Sequence, residues 1–133
     1  MGAMTTLTRL CLILAFVAMS GPGVPAQTQA TGRVMREKLT HSQRILEALT
    51  TSDFALLERE SAGLQKVTES PAWAVFNSPE YVGHTAAFLR ASRDLSAGAK
   101  ARDLDAADLH FMSLTLSCFQ CHRYMKIMRI AKH

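Results

Sequence analysis

From Ala107 to Met128 the residues Ala107, Phe111, Leu114, Cys118, Cys121, Met125 and Met128 follow one another at spacings of 4, 3, 4, 3, 4 and 3. A strand repeats its side chains every second residue, so this series fits one face of a long helix. Three earlier segments carry the same signal. Met35, Leu39, Ser42, Leu46 and Leu49 mark a helix over about Gly32 to Leu49, preceded by a loose polar stretch from Gln27 to Thr31. Phe54, Leu57, Leu64 and Val67 mark a second over about Asp53 to Ser70, with Glu58, Arg59, Glu60 and Lys66 on its solvated side and Pro71 as its stop. Ser78-Pro79-Glu80 opens a third, with a capping serine, a proline in the first turn and an acid next to it. Its stripe is Tyr81, His84, Phe88, Ala91 and Leu95, and it runs to about Ala101. Asp103 or Asp105 caps the fourth. No alternating strand pattern of any length occurs. With few Gly and Pro, 7 and 4 in 133 residues, the chain reads as all-α, an antiparallel up-down four-helix bundle.

The N-terminus has a different character. One basic residue, Arg9, precedes the ten-residue apolar run Leu10 to Met19; Ser20-Gly21-Pro22-Gly23 and Val24-Pro25-Ala26 follow. This is the layout of a cleaved secretory signal, and the run falls well short of the ~20 residues that span a bilayer. Residues 1–26 are therefore expected to be a leader and 27–133 the exported domain, periplasmic and with no stable membrane span. Cys11 leaves with the leader, so Cys118 and Cys121 are the cysteines of the exported domain. The formal net charge is +4, but the basic residues form no run, and nothing argues for nucleic acid as a partner.

Those two cysteines stand in Cys118-Phe119-Gln120-Cys121-His122. In an exported chain, C-x-x-C-H reads as a site of covalent c-type haem attachment. On a helix, 118 and 121 share a face and 122 lies one turn beyond 118. Two thiols there can add to the two haem vinyl groups while the His122 imidazole rises to the iron. A zinc site would need a second Cys/His pair, which the sequence lacks. A thioredoxin-like pair would sit at a helix N-terminus next to a strand, and this one lies deep in a helix.

The chain resembles the class II c-type cytochromes, the cytochrome c′ family. The motif lies near the C-terminus on the last helix of a four-helix pattern. Cys118 to Lys126 is similar to the family's C-x-x-C-H-x-x-[aromatic]-[basic] ending, with Tyr124 and Lys126 in the matching places. Pro71 to Phe76 is similar to its loop with a Trp three residues before a Phe. The resemblance implies one haem c, held through Cys118 and Cys121, with His122 as proximal ligand. It places Met35 on the distal side and brings Lys126 to the haem periphery. Some relatives use a distal Met as sixth ligand; others keep a five-coordinate iron under a Leu, Phe or non-ligating Met. The chain departs from the family in having Thr31, not a base, one turn before Met35, and Lys126 where arginine is usual.

Two functions follow from the resemblance. One is a periplasmic carrier of single electrons, with His122 and Met35 on the iron and redox proteins as partners. The other is a haem protein that binds nitric oxide or carbon monoxide beneath Met35 or Leu39. An enzymatic role such as a peroxidase needs a distal acid–base group, and the Met35–Leu39 stripe offers no His or Arg. His41 and His110 read as surface groups and His84 as a core histidine. Arg123, Lys126, Arg129 and Lys132 could form a basic rim for an acidic partner, and a homodimer stays open.

Overall fold

The computed structural model describes residues 26–131, the Ile130 side chain excepted. The expected leader, apart from Ala26, lies outside them, as do Lys132 and His133. Four helices make up the described chain: α1 (Ala26–Thr51), α2 (Phe54–Val67), α3 (Pro79–Ala101) and α4 (Leu104–Ile130). The fold is an all-α four-helix bundle. Sequential helices are neighbours: α1 packs on α2, α2 on α3 and α3 on α4. The closing pair, α1 and α4, meets only sparingly and leaves a cleft between them.

Two of the connections share one design. Ser52 and Arg102 adopt left-handed backbone, with φ of 55° and 54°. Each donates its N–H three residues back, Ser52 to Leu49 and Arg102 to Ala99, and the following aspartate donates to Ala48 or Gly98. This pair of bonds closes the helix C-terminus in a Schellman arrangement. Asp53 and Asp103 then start the next helices, their carboxylates accepting from Leu56 N–H at 2.9 Å and Ala106 N–H at 3.0 Å. Asp53 therefore caps α2, and Ser52 closes α1. The Arg102 guanidinium lies over the Phe54 ring, 5.2 Å from its centre, and ties the two turns together. Gly98 lets α3 approach α4 here: a Cβ at this position would stand 3.1 Å from the Ala107 backbone nitrogen.

The third connection crosses the other end. Ser78 caps α3 by accepting from Tyr81 N–H and also bonds the Tyr124 hydroxyl of α4 at 2.7 Å. Trp73 is buried against Phe88, its indole N–H donating to Thr85 Oγ1. The Tyr81 hydroxyl donates to the Trp73 carbonyl. Thr31 Oγ1 donates to the Ala72 carbonyl and fastens this loop to α1.

Several expectations change. Helix α1 begins at Ala26, so the stretch 27–31 is helical, and α2 stops at Val67, three residues early. The core stripe of α1 is Val34, Lys38, Ile45, Ala48 and Leu49, one step round from the expected one; Leu39 and Leu46 are exposed. Both series repeat at helical spacing, so periodicity alone does not choose between them. Glu60 is buried, not solvated, because it receives a cluster from two helices: His41 Nδ1 at 2.8 Å, Arg59 Nε at 3.1 Å and Arg44 Nε at 3.3 Å. His41 and His110 are half-buried rather than surface groups.

Candidate functional site

The stripe of α1 displaced from the core faces the cleft with α4. Met35, Leu39 and Ser42 from α1 and Leu114, Cys118 and His122 from α4 line one cavity of about 420 Å³. That lies within the range of ~300–1,000 Å³ typical of small-molecule and cofactor sites. A wider opening of about 790 Å³ adjoins it at the end where α1 begins, lined by Met35, Val75, Phe76, His122, Met125 and Lys126 among others. Met35 and His122 line both spaces. The cleft therefore brings together Met35, Leu39, Cys118 and His122, four residues singled out by sequence. Lys126 stands at the rim, in the wider opening and in a shallow surface hollow with Phe119, His122 and Arg123. Cys121 is half-buried and lines neither the cavity, the wider opening nor the surface hollow.

Helix α4 sets these positions. Its inner face carries Ala107 and Leu114, both buried in the core, and the same face continues into half-buried Cys118, Cys121 and Met125. His122 is turned away from the core towards α1 and is exposed at the cleft mouth. Both thiols are free. Burial pushes the Cys121 thiol up, with Lys38 opposing and Cys118 adding to the shift, so the thiol stays protonated at neutral pH. That is unlike the activated thiolate of a redox pair. For His122, partial burial and then the Lys38 charge hold the imidazolium below its usual range. The ring is neutral at pH 7, with a nitrogen lone pair free to bind a metal. Among the described residues no group of three or more His, Cys, Asp or Glu side chains converges to hold a metal ion by itself.

Lys38 was not among the residues picked out by sequence. It is 7% exposed, its ammonium lies 4.2 Å from the centre of the Phe88 ring and 5.0 Å from that of Trp73, and it lines the cavity. Two aromatic faces partly replace its lost hydration. Its signal was the second α1 stripe, in which a lysine occupies a core step between Val34 and Ile45. Arg36 also lines the cavity, so the α1 wall is more basic than the Met35–Leu39 stripe suggested. His84 sits elsewhere, half-buried against the Tyr124 ring at 5.3 Å. Met112 is exposed, while Met125 and Met128 are half-buried on α4.

No family model, no curated protein and no solved structure matches the chain.

Proposed function

We propose that the chain is an exported c-type cytochrome resembling the cytochrome c′ family, with one haem c carried in the α1–α4 cleft and used to transfer single electrons. One observation carries the reading: Cys118 and His122 of the C-x-x-C-H helix share a cavity with Met35 of the facing helix. The residues suit the group. The wall is mostly apolar, two free thiols lie one helical turn apart, and the imidazole beside them is neutral. Cys118 and Cys121 would anchor the macrocycle by thioether bonds, His122 would bind the iron from α4, and Met35 would bind from α1.

Bound haem would supply the one-electron ferric/ferrous couple, and Met/His ligation raises its potential. The chain's own residues do the rest. Leu39, Leu114 and Phe119 supply apolar wall to the cleft. The bundle holds α1 and α4 at a fixed separation, which limits rearrangement between oxidation states. Arg123, Lys126 and Arg129 on the last turns of α4 offer a basic rim to an acidic redox protein. The role is that of a carrier, not an enzyme, and the periplasm is its compartment.

The gas-binding alternative has an observation of its own, since Leu39 lies beside Met35 in the same cavity and could cover an open iron. Visible absorption spectra of the ferric and ferrous exported protein separate the two. A low-spin spectrum that becomes high-spin in Met35→Ala supports the carrier with Met35 as ligand. A ferrous high-spin spectrum that shifts readily with carbon monoxide overturns it in favour of the gas binder.

A further inference from the structure

Lys38 has no charge to answer it. It occupies a core step of α1, buried, and its ammonium meets two aromatic faces, Phe88 at 4.2 Å and Trp73 at 5.0 Å from the ring centres. The ion pairs among the described residues all converge on Glu60, and none involves Lys38. Such a cation is costly, since buried charges are ordinarily paired and two rings recover only part of the lost hydration. A methionine of similar volume would continue the stripe between Val34 and Ile45 at less cost. The position therefore carries a charge that the fold itself does not need.

The cleft shows where that charge acts. Lys38 lines the same cavity as Met35, one turn earlier on α1, and His122 on the facing helix. Among the described residues no Asp or Glu lines this cavity or the wider opening beside it, so no acid of the wall cancels the ammonium. The other Lys and Arg side chains of the two spaces, Arg36, Lys126 and Arg129, are exposed, and water and salt screen them. Lys38 is held away from both, in surroundings where a charge reaches further than it does at the surface.

We propose that Lys38 is a fixed positive charge that raises the reduction potential of the haem carried between Met35 and His122. The inference rests on the haem reading of the cleft and adds the residue that sets the potential. Reduction lowers the charge of a haem by one. A neighbouring cation that nothing neutralises therefore disfavours the ferric form and leaves the ferrous form nearly unaffected. One electron enters from a redox protein of lower potential and leaves to one of higher potential; no bond or proton changes hands. Lys38 makes the carrier accept that electron more readily and release it only to a stronger oxidant.

The test is the midpoint potential of the haem-loaded exported protein, by spectroscopic redox titration at about 1 M salt, where the Debye length is about 3 Å and exposed charges are silenced. Lys38→Met is expected to lower the ferrous-to-ferric ratio at a fixed applied potential about tenfold, a fall of about 59 mV in the midpoint. Lys38→Arg keeps the charge and should stay within about twofold of the wild type. Lys100→Met should do the same, because it removes a charge from an exposed site at the end of α3. Circular dichroism and the visible spectrum check folding and ligation. Should Lys38→Met disturb either, Lys38→Gln takes its place; if both neutral variants change the spectrum, Lys38 acts through the ligands and the inference falls. A midpoint that moves less than about twofold in the neutral variant, or falls equally in Lys38→Arg, overturns the inference while the haem reading stands. A chain that carries no haem overturns both.

Discussion

Ser92 offers a substitution that should strengthen the protein. It is fully buried on α3, and its Oγ is the buried side-chain oxygen or nitrogen without a hydrogen-bond partner among the described residues. A hydroxyl moved from water into such a place costs about 1–3 kcal/mol. Ser92→Ala removes that cost and gains about 0.5 kcal/mol of helix propensity. The void left by one oxygen is smaller than a methyl group and costs less than about 1 kcal/mol. Gln65 bonds the Ser92 backbone carbonyl, a contact that the substitution leaves alone. The net expectation is a gain of about 1–2 kcal/mol, or about 4–8 °C in Tm per kcal/mol for a domain of this size. Thermal unfolding followed by circular dichroism measures it. Ser61→Ala is the control: Ser61 is equally buried but donates to the Glu58 carbonyl at 3.1 Å, so its change should lie within about 0.5 kcal/mol of zero. A fall in Tm for Ser92→Ala, or an equal rise in both variants, would refute the reasoning.

Two further outcomes follow from buried ionisable groups. Burial works to raise the Glu60 carboxyl, but the hydrogen bonds and charges of His41 and Arg59 outweigh it and hold the group below its ordinary 4.5. A lowered carboxyl stabilises the fold above the unfolded value, and that contribution is lost as pH falls through the lower folded one. Glu60→Gln should therefore cost about 1–2 kcal/mol at pH 7, and the deficit should shrink in denaturant titrations below about pH 4.5; a deficit independent of pH would contradict the role assigned to the carboxylate. Tyr81 is the opposite case, raised above 10.0 chiefly by burial, with the Val75 backbone opposing and Cys121 adding. Its contribution is present below pH 10 and is lost as pH rises through the folded value. Tyr81→Phe should cost about 0.5–1.5 kcal/mol, because the Trp73 carbonyl loses one of its donors and keeps the Val75 N–H at 3.0 Å, and it should remove part of the alkaline loss of stability; an unchanged midpoint at neutral pH would show the bond to be without weight.

The helices could be read from sequence where pattern and caps agreed. Ser78-Pro79-Glu80 and Asp103 start helices because each places an oxygen over free N–H groups, and α4's inner stripe is continuous from Ala107 to Met128. Of the residues that the sequence singled out, Met35, Leu39, Cys118 and His122 line one cavity, while Cys121 does not. Three things were hidden. On α1, two stripes one step apart both obey helical spacing, and a buried lysine disguised the true core side. Glu60 read as a solvated charge because its partners His41 and Arg44 come from another helix, beyond the reach of local pattern. The start of α1 read as loose because its residues are polar, yet the Thr31 bond to Ala72 is a tertiary contact. In each case the deciding partner is distant in sequence.

The reading of the cleft as a haem site is tested most directly by intact mass and visible spectrum together, on the chain exported from a host that attaches haem to c-type cytochromes. A coloured protein, heavier than the processed polypeptide by one haem and losing that addition when Cys118 and Cys121 are both replaced by Ala, is the result expected. A colourless protein with the mass of the bare polypeptide would contradict it.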